Sequence, residues 1–268
     1  MENTMDIGTT KLIARKDGGI GWLIFNQPEK HNAMSYEMWL GMPKVLGAFE
    51  ADPDVRVIVL VGAGEKAFVS GADISEFESK RSAEENIRIY DEAGVAAQSA
   101  LINAAKPTIA MIRGICIGGG LAIALNTDIR ICSDNSVFAV PAARLGLGYK
   151  YDGIKRLVDV VGPQFAKEIF FSAGKFTAED ARIMGLVNRV VPLAELEERV
   201  LKLASTIAAN APLTVKAAKT AINAAVTDPD KRPYGEIDAA IKACFASEDY
   251  IEGRRAFMEK RKPQFKGR

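Results

Sequence analysis

Apolar residues gather in short, nearly unbroken runs early in the chain and spread to helical spacing later. The runs KLIARK and GIGWLIFN are β-rich. They are joined by Asp17-Gly18-Gly19, a strong hairpin signal. The loop QPEKHNAM follows. Ser35 is then placed to cap a helix in which Met38, Met42, Val45, Leu46 and Phe49 recur at helical spacing. Gly41 and Pro43 fall inside it and argue against its regularity. VRVIVLVG is apolar but for Arg56, the pattern of a strand covered on both faces. AFVSGADI predicts a strand running into a glycine turn, and a helix is expected across roughly 82–105. PTIAMIRG is the next strand. Gly118, Gly119 and Gly120 then open an apolar helix, and DIRICS returns as a strand. Strands that alternate with helices and are almost continuously apolar imply parallel βαβ units, hence an α/β fold.

From Pro163 the pattern changes. GPQFAKEIFFSAG, TAEDARIMG, LAELEERVLKLASTIAAN, PLTVKAAKTAINAAV and SEDYIEGRRAFMEKRKPQF all read as helices, with LVNRVV as the only strand left. The chain divides into an α/β core over 1–195 and a helical C-terminal region over 196–268. Composition narrows the options. At 48% hydrophobic residues the 268-residue chain can bury a substantial core. Lys+Arg 35 against Asp+Glu 34 leaves no global field to attract nucleic acid or an acidic membrane surface. The opening residues lack the basic-then-apolar plan of a signal peptide, and no apolar run is long and clean enough to span a bilayer. Cys116, Cys132 and Cys244 are odd in number and far apart. They are expected to be reduced thiols, largely in the core, in a cytoplasmic protein.

Familiar catalytic constellations are absent from the sequence. His31 is the sole histidine and sits in a polar loop. There is no G-x-S-x-G elbow for a serine nucleophile, and no C-x-x-C or H-E-x-x-H to hold zinc. The triple glycine is followed by no G-K-[ST], so it is no P-loop, and it does not read G-x-G-x-x-G. Tight strand–helix packing is one reading of those glycines. A second comes from SGADI, another strand running into a glycine turn. Two such turns at neighbouring strand ends could aim two backbone N–H groups at one oxygen. That arrangement is an oxyanion hole, which stabilises an enolate or a tetrahedral intermediate. Ile117, Leu121 and Ile123 would lower the local dielectric and strengthen it.

With these residues in view, the sequence resembles the enoyl-CoA hydratase/isomerase (crotonase) superfamily. The resemblance rests on PEKHNAM, KAFVSGADISEF, KPTIAMIRGICIGGGLAIALNTDIRICSDNSVFAVPAARLGL, AEDARIMGLVNRVV and DYIEGRRAFMEKRKPQF, in order along nearly the whole chain. It implies a ClpP/crotonase-like spiral of ββα units with a helical C-terminal region. It also implies an enzyme acting on an acyl-CoA thioester through a bound enolate, assembled as a homotrimer or a dimer of trimers. Ala72 and Gly119 fall where the family's two oxyanion-hole N–H donors lie. Lys30, Ala33, Asp73 and Ile74 match positions around coenzyme A. Phe257 and Lys260 match positions near its nucleotide, often across a subunit boundary, although a plain amphipathic helix would also explain those two. No metal or separate cofactor is implied, coenzyme A being part of the substrate.

The sequence departs from the family at the proton chemistry. Hydratases of the family handle water with two glutamates, and the corresponding positions are Ala122 and Ala142. Neither side chain can move a proton. In place of a small glycine-rich segment the chain has Tyr149, Lys150, Tyr151 and Asp152, a polar loop before a helix. Either one of these side chains reaches the acyl pocket, with Tyr149 and Asp152 the candidate acid or base, or the loop is solvated and packs at a subunit contact. Leu145, Gly146, Tyr149, Gly153 and Ile154 follow a pattern similar to the methylmalonyl-CoA decarboxylase branch, although that branch has histidine where this chain has Ala72. Three functions remain open: a hydratase or isomerase with relocated acid and base groups, a decarboxylase of methylmalonyl-CoA type, and a non-catalytic acyl-CoA binder.

Overall fold

The computed structural model describes residues 3–5, 7–73 and 84–268. They hold strands β1 (Asn3–Met5), β2 (Leu12–Asp17), β3 (Ile20–Phe25), β4 (Val57–Gly62), β5 (Ala67–Val69), β6 (Thr108–Ile112), β7 (Ile115–Ile117), β8 (Ile129–Ser133), β9 (Val137–Ala139), β10 (Phe176–Thr177) and β11 (Arg189–Val191). Seven form one sheet in the order β1-β2-β3-β4-β6-β8-β11, antiparallel up to β3 and parallel from β3 onward. The other four form a smaller sheet, β10-β9-β7-β5.

The two sheets arise from one repeated move. Each long parallel strand β4, β6 and β8 runs through a short turn into a three-residue strand of the small sheet, β5, β7 and β9. Helices Glu84–Ile102, Gly119–Leu125 and Ala142–Leu145 lie beyond these pairs in the chain. This is the ββα spiral that the resemblance implies. Its turns are tight. At Gly114, between β6 and β7, φ is +59° and a Cβ would lie 2.1 Å from the Lys66 carbonyl oxygen, so only glycine fits.

Strand alternation distributes the core. In β4, Ile58 and Leu60 face the main core with Phe25, Met38, Leu46 and Phe68, while Val57, Val59 and Val61 face a second cluster. That second cluster is closed by Leu196, Val200 and Ala204 of helix Leu196–Ala208. The first helix after residue 195 therefore covers the large sheet, and the core continues beyond that boundary.

Several local expectations hold. Asp17-Gly18-Gly19 turns the β2–β3 hairpin. Ser35 Oγ accepts from Met38 N at the start of helix Tyr36–Ala51. That helix runs on through Gly41 and Pro43 without a break, because Met38, Met42, Val45, Leu46 and Phe49 are all buried along it. Helix Tyr151–Ser172 does break, at Gly162 (φ 75°, ψ 164°), just before Pro163. One expectation fails. LVNRVV is not the only strand after Pro163, because Phe176 and Thr177 pair antiparallel with Phe138 and Val137. Two residues are too few to show a period, and the pairing comes from a sheet edge far away in sequence. No helix among the described residues is long and apolar enough to cross a membrane.

Candidate active site

The site is built from three loops. The first follows β3. After the turn Pro28–Lys30, His31 and Asn32 take left-handed conformations (φ 53° and 55°). Asn32 tolerates this because its buried amide is fully used. It accepts from Gln27 N at 3.0 Å and donates to the carbonyls of Ala63 and Ala67 at 3.0 and 2.9 Å. The loop is thereby fastened across the β4–β5 turn. His31 is exposed.

The second loop, Ser70–Asp73, lies beside the first. Met34 N donates to Gly71 O (2.7 Å) and Asp73 N donates to Met34 O (2.9 Å), forming a parallel bridge between Met34 and Ala72. The residues on either side of Ala72 are thus tied to Met34. The alternation of extended backbone turns the Ala72 N–H to the opposite side. No acceptor takes it among the described residues. Asp73 is buried, with Lys30 Nζ at 2.8 Å and Gln27 Nε2 at 3.2 Å from its Oδ2. Ala33 is buried next to them, its carbonyl 3.4 Å from Gln27 Nε2. Lys30, Ala33, Ala72 and Asp73 therefore adjoin one another. Ile74 lies outside the described residues.

The third loop is the triple glycine, and its members have separate duties. Gly118 takes φ 55°, ψ −115°, a conformation that disfavours any side chain. Gly120 lies on β5, where a Cβ would be 2.1 Å from Val69 O. Gly119 begins helix Gly119–Leu125, and its N–H has no acceptor among the described residues. A Cβ on Gly119 would sit 3.8 Å from the carbonyl carbon of Gly71, so the second and third loops are in contact. Two unpaired amides, Ala72 and Gly119, thus occur on adjoining turns, with buried Leu121 and Ile123 behind them. The ring of Trp39 lies against the same glycine, Cζ2 being 3.8 Å from that Cβ position. Its indole N–H donates to Tyr90 Oη (3.0 Å), which donates to Met34 O (3.0 Å). The sequence singled out neither aromatic. Their only signal was a polar atom on a mostly apolar helix.

Ala122 lies three residues after Gly119 on the same helix and is half-buried. Ala142, at the start of helix Ala142–Leu145, is buried. The next candidates stand at the start of helix Tyr151–Ser172. Arg156 Nε fixes that helix to the last turn of the glycine helix by donating to Leu125 O (2.9 Å). Buried Arg130 grips the same end through the Ala124 and Thr127 carbonyls and also holds Leu186 O, its pKa lowered to about 10 by burial. Tyr149 packs edge-on against Phe170, with ring centroids 5.0 Å apart; part of its surface stays exposed, and the desolvation of the rest raises its pKa above the ordinary value. Lys150 pairs with Asp91 at 3.6 Å, while Tyr151 and Asp152 are exposed.

Phe257 and Lys260 stand apart in the chain, on and just after helix Glu248–Met258. Both are exposed at the end of helix Glu248–Met258. No hydrogen bond or ion pair among the described residues links them to Lys30 or Asp73. That helix instead holds its own tail. Asp249 accepts from the amides of Lys266 and Gly267, and Glu252 accepts from Arg261 and from Gln264 N. Among the described residues no three His, Cys, Asp or Glu side chains gather to hold a metal ion.

Comparison with known proteins places the whole chain and its fold. The family model for enoyl-CoA hydratase/isomerase matches residues 15–268. The chain is 37% identical to the short-chain-enoyl-CoA hydratase of Clostridium acetobutylicum, over 96% of this chain and 98% of that one. It is 34% identical to the carnitinyl-CoA dehydratase of Escherichia coli K12, over 94% and 97%. A crystal structure of an enoyl-CoA hydratase/carnithine racemase from Magnetospirillum magneticum superposes with a TM-score of 0.91. It is 34% identical and covers 98% of this chain and 97% of its own.

Proposed function

The chain belongs to the enoyl-CoA hydratase/isomerase family, and from that premise we propose that it is an enzyme that forms and stabilises the enolate of an acyl-CoA thioester. The thioester oxygen would lie between the N–H groups of Ala72 and Gly119. The single observation that carries this is the pair of unpaired amides on touching turns. One such donor is typically worth a factor of about 10²–10³ in rate. Lys30, Ala33, Asp73 and Ile74 would line the coenzyme A pocket. Phe257 and Lys260 would reach the nucleotide of a neighbouring subunit in a homotrimer or dimer of trimers, which their exposure permits. Coenzyme A enters as part of the substrate, no further cofactor is called for, and the enzyme would work in the cytoplasm.

Two reactions fit an enolate site. Hydration or dehydration is favoured by the names of the relatives and would need Asp152 or Tyr149 to act as the displaced acid or base. Decarboxylation of a malonyl-type thioester is favoured by Ala122 and Ala142. In that reaction the electrons of the breaking C–C bond flow into the thioester carbonyl, CO₂ departs, and the enolate takes a proton at its α-carbon. No base is needed, and two alanines put no negative charge beside the departing carboxylate. Tyr149, whose phenol is protonated at neutral pH, would supply a hydrogen-bond or proton donor.

The test is a substrate panel. Loss of enoyl absorbance with crotonyl-CoA identifies hydration, and CO₂ release from methylmalonyl-CoA identifies decarboxylation. Decarboxylation unaffected by Tyr149→Phe removes Tyr149 from the mechanism. Tight binding of CoA esters without turnover of any member would make the protein an acyl-CoA binder and overturn the enzymatic reading.

A further inference from the structure

The two amides of the proposed oxyanion hole come from loops distant in sequence, so something must fix their separation. Met34 O is the shared anchor. It accepts from Asp73 N at 2.9 Å, which sets the Ala72 side, and from Tyr90 Oη at 3.0 Å. Tyr90 in turn accepts from Trp39 Nε1 at 3.0 Å, and the Trp39 ring lies against Gly119, which sets the other side. Trp39, Tyr90 and Met34 are all buried, and so are the three polar groups that join them. A buried hydrogen-bonded chain of this kind rigidifies what it touches, because breaking any link strands a desolvated donor or acceptor.

The geometry points to Tyr90 as a positioning residue that holds the Ala72 and Gly119 amides in register through Met34 and Trp39. The inference rests on the enolate reading above. Tyr90 does not act on the substrate itself. Its hydroxyl joins the helix that carries Trp39 to Met34 O, which in turn is paired with the loop that carries Ala72. Trp39 is the lever on the glycine side, since its indole can keep one orientation against Gly119 only while its N–H has an acceptor.

The experiment uses the full-length protein and a conjugated dienoyl-CoA, whose absorbance moves to the red as its thioester carbonyl is polarised by hydrogen bonds. Wild type, Tyr90→Phe, Trp39→Phe and the double variant are titrated for dissociation constant and, at saturation, for the size of the red shift. Tyr90→Phe is expected to keep the dissociation constant within about threefold and lose a large part of the shift. With a turned-over substrate, kcat is expected to fall about tenfold or more with little change in KM, because misplaced donors weaken transition-state contacts selectively. The double variant is expected to lose less than the sum of the two single losses, since both act through one chain. A full red shift in Tyr90→Phe, or a weakened dissociation constant with the shift intact, overturns the positioning role and leaves the enolate reading standing. No red shift in the wild type overturns the enolate reading and this inference with it. If Tyr90→Phe fails to fold, Trp39→Phe takes its place: it removes the indole N–H together with the Cζ2 contact to Gly119, and a full red shift there overturns the positioning role.

Discussion

Replacing each of the three glycines by alanine in turn separates packing from backbone strain. At Gly120 the added Cβ would lie 2.1 Å from Val69 O and 2.8 Å from Val69 Cβ. A carbon–oxygen contact needs more than an ångström beyond that, and the obstacle is the backbone of β5, buried at the edge of the small sheet. Either β5 shifts or the helix lifts, at a cost of about 3 kcal/mol or more. At Gly118 the nearest atom to a new Cβ is 3.9 Å away, so there is room. Its φ of 55° with ψ of −115° is nonetheless poor for any side chain, and the strain is about 1–3 kcal/mol. At Gly119 the contacts would be 3.8 Å and φ is not in the left-handed range. Alanine there lowers the entropy of the unfolded chain and improves a first-turn helix position, for a change between neutral and about 1 kcal/mol stabilising. Equilibrium denaturation monitored by circular dichroism should order the variants with Gly120→Ala least stable, Gly118→Ala next and Gly119→Ala at or above wild type. A Gly119→Ala variant as damaged as Gly120→Ala would refute the division of duties among the three.

Two further outcomes follow from titrating groups. Arg261, followed by the amide of Gln264, holds the Glu252 carboxyl at about 2 instead of its ordinary 4.5, so its grip on the tail is complete above pH 4.5 and is lost as pH falls toward 2. The stability gap between wild type and Glu252→Gln, measured by denaturation across pH, should shrink through that window, and a gap independent of pH would contradict the assignment. Burial pushes the Cys132 thiol up to about 12 and raises that of Cys116 as well, while Cys244 is half-buried. A disulfide-exchange reagent at pH 8 should therefore titrate one thiol in the native protein and three after unfolding. Fast native reaction of two or more would show that the core opens.

Much of this architecture was legible because it is local. The alternation of β4, the Ser35 cap and the glycine-ended hairpin each need only a few neighbouring residues to declare themselves. The small sheet was not legible. β7, β9 and β10 have two or three residues each, too short for a period, and exist because β5 offers an edge at the right distance once β4 has turned. The Gly114 turn shows the dependence, since its glycine is demanded by a carbonyl of Lys66 on another turn of the spiral.

The same distinction governs the site. SGAD and GGG announce two glycine turns, but the direction of an amide is set by what its neighbours pair with. For Ala72 that partner is Met34, in a loop whose shape depends on the buried side chain of Asn32. The free amide is therefore a consequence of three segments meeting, and no motif in any one of them encodes it. The proton-handling end is harder still. Tyr149 lies just before helix Tyr151–Ser172 and packs edge-on against Phe170 of that helix, which Arg156 ties to Leu125. A sequence shows the missing carboxylates at Ala122 and Ala142 at once, whereas which side chain would replace them depends on packing between segments far apart in the chain. Substitutions at Arg156 should thus disturb the role proposed for Tyr149, read as a fall in kcat, more than thioester binding, since Arg130 still holds the far end of the glycine helix through Ala124 and Thr127.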